Sequence, residues 1–228
     1  MNKNIKSLFL KDVYLFKNYK KTYIFTTFVF AIILFSRAVY GDVTYIGTLL
    51  FMLVFGTNSI STFSYDEMAK TERYLIGLTI TRKEMVRAKY LFAIFVSLVA
   101  TIVGMIVSFL ATIIMFGKIP NLYFYFLFVL YAYLAISFLI TTDVPCIYKW
   151  GTEKGRMQAI IIPIILTMIL MLIGMIIYAV LKYYAIFDRQ AVLKFLHNFA
   201  YPIPIILIII MYYISYKISL RVFIKKDL

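Results

Sequence analysis

At 228 residues, 64% of them hydrophobic and with a mean hydropathy of +0.92, the chain is too apolar for an ordinary soluble domain, which lies nearer half apolar. Its net charge of +14 is strongly basic, yet no basic stretch is long enough to form a nucleic-acid-binding face clear of a bilayer. The single cysteine, Cys146, excludes an internal disulfide and reads as an inert packing residue.

In residues 1–21, Ile5, Leu8, Phe9, Val13 and Phe16 recur at helical spacing, with Lys6, Ser7, Lys11, Lys17 and Asn18 largely opposite. This predicts an amphipathic helix with a basic face lying in a membrane interface, or a plain charged anchor for the segment that follows. Apolar runs long enough to cross a roughly 30 Å hydrocarbon core, about 20 residues each, then recur. Six are predicted, over 22–39, 43–63, 90–116, 122–140, 159–181 and 201–216. The first lacks a small-residue cleavage site and follows six basic residues, so it reads as an anchor and not a signal peptide. The short Tyr40-Gly41-Asp42 turn predicts an antiparallel pair for the first two spans. Toward its end the second span turns polar, with Gly56, Thr57, Asn58, Ser59, Ser61, Thr62 and Ser64. Such groups either line a path through the membrane or hydrogen-bond and pack between helices.

Residues 64–89 form the longest polar interruption. They hold Asp66, Glu67, Glu72 and Glu84 against Lys70, Arg73, Arg82, Lys83, Arg87 and Lys89. Asp66 and Lys70, four apart with the acid first, have the spacing of a helical ion pair. Gly77 offers a helix end, and Thr81-Arg82-Lys83-Glu84 has capping-box spacing, so a second helix is expected to begin there. The segment reads as helix, turn, helix at a membrane surface; the alternative is a solvated loop between two spans. In the third span Ala93, Ser97, Thr101, Gly104, Ser108 and Thr112 recur every three or four residues, a stripe that lets helix backbones approach closely. The fourth span opens with Tyr and Phe, which favour an interface.

A second polar loop is expected over 141–158, carrying Asp143, Pro145, Lys149, Trp150, Glu153, Lys154 and Arg156. Its Gly151-Thr152-Glu153-Lys154-Gly155-Arg156 run lacks the spacing of a phosphate-binding loop. Over 182–200, Val192, Phe195, Leu196 and Phe199 share one face after Asp188, which predicts a short helix on the outer surface. His197, the one histidine, has no Cys or His at ligand spacing, so no metal site is expected. Pro202 and Pro204 open the sixth span, and a basic tail follows from Lys217.

With the N-terminus inside, nineteen of the 24 Lys and Arg fall in the inner segments. That bias places both termini in the cytosol. The interiors of the six spans contain no Asp, Glu, Lys, Arg or His, which disfavours a proton-coupled carrier, a voltage sensor and an intramembrane enzyme. No catalytic motif appears, and work done by this chain must draw its energy from elsewhere.

Four stretches resemble the permease subunits of type-2 ABC exporters, the short six-span bacterial kind made separately from its ATPase. They are Phe9-Leu10-Lys11-Asp12 with Lys20-Lys21; Asp66-Glu67 through Lys70 and Tyr74, then Leu78-Thr79-Ile80-Thr81-Arg82-Lys83-Glu84 and Ala88-Lys89-Tyr90; Gly151 to Arg156; and Ser215 to Asp227. Thr79 stands where the family has a proline. Within the family, the phenol-soluble modulin exporter permeases are similar in size and layout. The resemblance implies an all-α permease domain spanning 1–228, in a bacterial cytoplasmic membrane, without an ATP-binding motif or cofactor of its own. ATP and Mg would sit on two partner ABC ATPase subunits, and a second permease copy or a paralogue would complete the path. It further implies that 64–89 is the coupling segment, with Asp66, Glu67, Lys70, Glu72, Arg73 and Tyr74 as contacts and Arg82, Lys83 and Glu84 positioning it. Glu153, Lys154 and Arg156 would belong to the second cytosolic loop. Asn58, Ser97, Thr101, Gly104 and Ser108 would line the substrate path or pack helices. The implied cargo is amphipathic, such as a cytolytic or antimicrobial peptide. The alternative is a non-transporting scaffold or immunity protein that binds one cytosolic partner.

Overall fold

A computed structural model describes residues 3–18, 25, 44–77, 80–117, 121–183 and 200–226. The first expected span with its Tyr40–Asp42 turn, nearly all of the expected outer helix over 182–200, Leu78-Thr79 and Asp227 lie outside the described residues. Every element among the described residues is helical. In order they are α1 (Lys3–Asn18), α2 (Thr44–Thr57), a 3-10 turn (Asn58–Ile60), α3 (Ser61–Met68), α4 (Thr71–Gly77), α5 (Arg82–Phe116), α6 (Leu122–Tyr183) and α7 (Pro202–Lys225). Among the described residues three stretches are long and apolar enough to cross a membrane: Arg82–Ile114, Leu122–Ile176 and Pro202–Lys225.

The polar end of the second expected span is bent. Thr57 Oγ1 donates to Leu53 O at 2.8 Å, Ser61 Oγ to Asn58 O at 2.7 Å and Thr62 Oγ1 to Ser59 O at 2.9 Å. Hydroxyls that bond back to carbonyls three or four residues earlier loosen a helix locally, and here α2 passes through the 3-10 turn into α3. The expected Asp66–Lys70 helical pair does not form. Helix α3 stops at Met68, Lys70 takes the left-handed conformation (φ 50°), and Asp66 finds closer cations elsewhere in the fold.

Helix α5 starts where the capping box predicts. The Glu84 amide donates to Thr81 Oγ1 at 3.3 Å, and the Thr81 amide donates to Glu84 Oε2 at 3.0 Å. It runs 35 residues, about 52 Å at 1.5 Å per residue, and ends on Gly117 in the left-handed conformation. Its small-residue stripe faces inward. Ala93, Ser97, Thr101, Gly104 and Ser108 are all buried. A Cβ on Gly104 would come within 2.6 Å of Met52 Cγ on α2.

Residues 141–158 differ most from expectation. The helix that begins at Leu122 does not end near 140; it continues to Trp150 and breaks at one residue, Gly151 (φ 80°, ψ 179°). Only glycine adopts such a backbone readily. The chain then folds back, because Gly155 lies against the backbone of residues 146 and 147. A Cβ on Gly155 would sit 2.8 Å from Ile147 Cα and 3.0 Å from Cys146 O. Pro145 survives inside the first half because of a partner from another helix. Proline cannot donate to the carbonyl four residues before it, and the Thr141 carbonyl instead accepts from Ser215 Oγ of α7 at 2.7 Å. The basic tail that follows the sixth expected span continues as helix, since α7 runs to Lys225.

The core sits where α2, α3, α5, the first half of α6 and α7 converge. Met52, Val86, Ile136, Ile140, Val144 and Phe223 are fully buried there. Gly56 lets Ile136 approach, since a Cβ on it would come within 2.6 Å of Ile136 Cγ2. Helix α1 lies across α5, with the Phe9 and Phe16 rings edge-on to Phe92. The second half of α6, in contrast, is exposed on most sides from Ile160 to Ile176.

Candidate functional site

Among the described residues most charged side chains gather at one end of the bundle, where α1, α3, α4 and the start of α5 meet the fold-back of α6 and the last turn of α7. At its centre is a closed ring of alternating charge. Lys11 Nζ of α1 lies 2.5 Å from Asp66 Oδ1 of α3 and 3.4 Å from Asp12 Oδ1. Lys89 Nζ of α5 lies 2.6 Å from Asp66 Oδ2 and 3.0 Å from Asp12 Oδ1. Lys89 also donates to Thr62 Oγ1 at 3.1 Å and sits 4.8 Å from the centre of the Phe63 ring. Asp12 is 1% exposed, Asp66 6% and Lys89 8%.

Two carboxylates and two ammonium groups cancel, so the ring carries no net charge into the interior. Desolvating four charges is costly, and only a geometry in which each has opposite partners offsets it. Burial pushes the Asp66 carboxyl up, but Lys89 and Lys11 beside it outweigh burial and hold it below its ordinary value. The ring therefore ties three separate helices at a point where none can move without exposing or unpairing a charge.

Further bonds extend this tie across the same end. Glu67 Oε2 accepts from the Thr152 amide at 2.7 Å, so its carboxylate caps the helix that restarts after Gly151, where an anion suits the helix dipole. Arg156 donates to Ser64 Oγ at 2.7 Å. Arg82 donates to the carbonyls of Phe223 at 2.9 Å and Ile224 at 2.5 Å, capping the C-terminal turn of α7. Lys226 pairs with Glu72 at 3.3 Å, and Asn4 donates to Glu84 at 3.4 Å. Deeper in, the Tyr90 hydroxyl sits 2.5 Å from Ser215 Oγ and 2.8 Å from Ser219 Oγ, joining α5 to α7.

The residues singled out for partner contact thus divide. Asp66 is inside the ring, while Glu67, Glu72, Arg82, Glu84 and Arg156 are engaged within the chain. Lys70, Lys83, Glu153 and Lys154 are exposed, as is Tyr74 at 69%. Arg73 belongs to α4, and its side chain is outside the described residues. Beside this surface Met68 stands 81% exposed at the end of α3. Asn58 begins the 3-10 turn, whereas Ser97, Thr101, Gly104 and Ser108 face the helix packing described above. Ser108 Oγ lies 2.6 Å from the Tyr125 hydroxyl.

Sequence reasoning missed Asp12 and the pairing of Lys11 and Lys89. Helical spacing puts Lys11 opposite the apolar residues of α1, yet its ammonium reaches across to Asp66 of α3. The available signal was Asp12 itself, the one acid in a basic amphipathic helix and in line with Ile5 and Leu8, both of which are buried. A lone carboxylate on an apolar face requires a buried cation.

The site can transmit displacement, because helices from both ends of the sequence are fastened to one short exposed segment, α3–α4. No curated protein and no solved structure matches the chain. A family model described as ABC-2 family transporter protein matches residues 7–224. That match runs over nearly the whole chain, which therefore belongs to the ABC-2 family of membrane transporters.

Proposed function

We propose that this ABC-2 permease is the membrane subunit of an ATP-driven exporter, which carries an amphipathic substrate, of the cytolytic or antimicrobial peptide kind, out across the cytoplasmic membrane. Membership of the family makes the chain a transport component that works with an ABC ATPase. In this reading six spans cross the bilayer, both termini are cytosolic, and α1 lies along the inner interface. Two ATPase subunits supply ATP hydrolysis, and a second copy or a paralogue completes the path. The exposed apolar second half of α6 suits burial against lipid or that second permease.

The observation that carries the reading is the α3–α4 segment. It offers exposed Met68, Lys70 and Tyr74 outward, while Asp66, Glu67 and Glu72 fasten its inner side to α1, α5, α6 and α7. A protruding methionine and tyrosine ringed by charge have the composition of a docking surface. Motion imposed there reaches three membrane-length helices through direct bonds.

The test is co-purification with an ABC ATPase of the same organism, comparing wild type with Met68→Asp and Tyr74→Ala. Both side chains point away from the core, so the variants are expected to fold and to lose ATPase capture or its stimulation. Variants that bind and stimulate the ATPase like wild type would remove α3–α4 as the docking segment.

A further inference from the structure

We propose that the cleft between the Asn58 turn and the fold-back of α6 binds the primary-ammonium head group of a membrane amphiphile, an aminophospholipid. The ammonium would lie on Asp143 and the neighbouring phosphate on Arg156. The cleft measures about 290 Å³ and is lined by Asn58, Ser61, Asp143, Arg156 and Ile160 among others. It is separate from the ion-pair ring, whose charges are already matched.

Asp143 is the reason to look for a ligand. It is half-buried, it lines this cleft, and among the described residues no hydrogen bond or ion pair reaches its carboxylate. A partly desolvated carboxylate without a donor is costly. Arg156, on the same wall, uses a guanidinium nitrogen on Ser64 and retains further N–H donors toward the cleft. Arg156 offsets the Asp143 charge through space but makes no hydrogen bond to it, so each keeps capacity for a ligand with an ammonium and an anion a few bonds apart. Asn58 adds an amide that can serve either pole.

Size and surroundings select the amphiphile. Ligand pockets run from about 300 to 1,000 Å³, so this cleft accommodates a head group and not a peptide helix. Ile160 borders it and begins the exposed apolar face that continues through Ile161, Ile164 and Ile165, along which an acyl chain would lie. The inference goes beyond the exporter reading and its peptide cargo: it assigns a lipid-binding site on the permease and does not rest on that reading. Binding is measured without an ATPase, so the two stand or fall separately.

Purified full-length protein in detergent is titrated with dioctanoyl phosphatidylethanolamine and dioctanoyl phosphatidylcholine, and bound lipid is counted by native mass spectrometry. The two lipids share the phosphate and tails and differ in whether the nitrogen carries N–H. The wild type is expected to prefer the ethanolamine lipid by about tenfold or more, the worth of charge-assisted hydrogen bonds. Asp143→Asn should abolish that preference, while Arg156→Gln should weaken both lipids alike. Displacement by free phosphoethanolamine would place recognition in the head group alone; displacement only by intact lipid would add the tail, and either result supports the site. Equal binding of the two lipids by the wild type, which needs no variant, overturns the proposal. So does a preference that survives in folded Asp143→Asn, or a lysine-bearing amphipathic peptide that binds where the ethanolamine lipid does not.

Discussion

Lys89→Met removes one ammonium from the ring and leaves a side chain of similar length. Asp12, almost wholly buried, would keep only Lys11 at 3.4 Å, and Asp66 only Lys11 at 2.5 Å. Two buried carboxylates would then share one cation, and Thr62 would lose the donor now at 3.1 Å. Breaking a buried pair by removing one partner costs about 3–5 kcal/mol, because it strands a charge. For a chain of this size each kcal/mol moves the melting temperature by about 2–4 °C, so a fall of roughly 6–20 °C is expected. Adding Asp12→Asn removes the surplus charge, and the double variant should recover part of the loss, with a coupling of about 0.5–3 kcal/mol. Thermal unfolding in detergent, followed by Trp150 fluorescence, reads all four corners of the cycle. A shift under about 2 °C, or two losses that simply add, would refute the claim that the ring holds α1, α3 and α5 together.

Three further outcomes are expected. Because the native Asp66 carboxyl sits below its ordinary value, the folded state binds its proton less readily than the unfolded chain. Its stabilisation is complete above the unfolded pKa of about 3.9 and drains away as pH falls through the lower native value. The melting temperature of the wild type should therefore drop below about pH 4, with a shallower acid limb in Asp66→Asn; equal slopes would place the sensitivity on another group. Gly155→Ala presses a methyl against the Ile147 backbone and should cost about 1–3 kcal/mol by the overpacking rule. Gly174→Ala, with open space around it, should be neutral or slightly stabilising in the same melt, and equal losses would contradict the fold-back. Ser215→Ala orphans the Thr141 carbonyl and should cost about 1–3 kcal/mol. Pro145→Ala restores a helical donor to that carbonyl and should suppress the loss, whereas an unsuppressed loss would mean that Ser215 matters chiefly through Tyr90.

What could be read directly from the sequence was local. The Thr81–Glu84 cap and the inward stripe from Ala93 to Ser108 both depend on residues within a few turns of one another. Composition alone pointed to a membrane protein, since a chain 64% hydrophobic has too little polar surface to cover itself in water. The family resemblance was carried by short ordered motifs, and the match over residues 7–224 rests on the same linear information.

Tertiary structure decided the partners of the charges and the fate of the polar stretches. Lys11 meets Asp66 across 55 positions and Lys89 meets Asp12 across 77, separations over which no periodicity speaks. Residues 141–150 look like a loop because they hold Asp143 and Pro145, yet Ser215, 74 residues away, supplies the bond that keeps them helical. The same holds for Glu67, which serves as the cap of a helix 85 positions later. A sequence specifies which groups need a partner; only the folded chain, by bringing distant helices within about 3 Å, determines which partner each one receives.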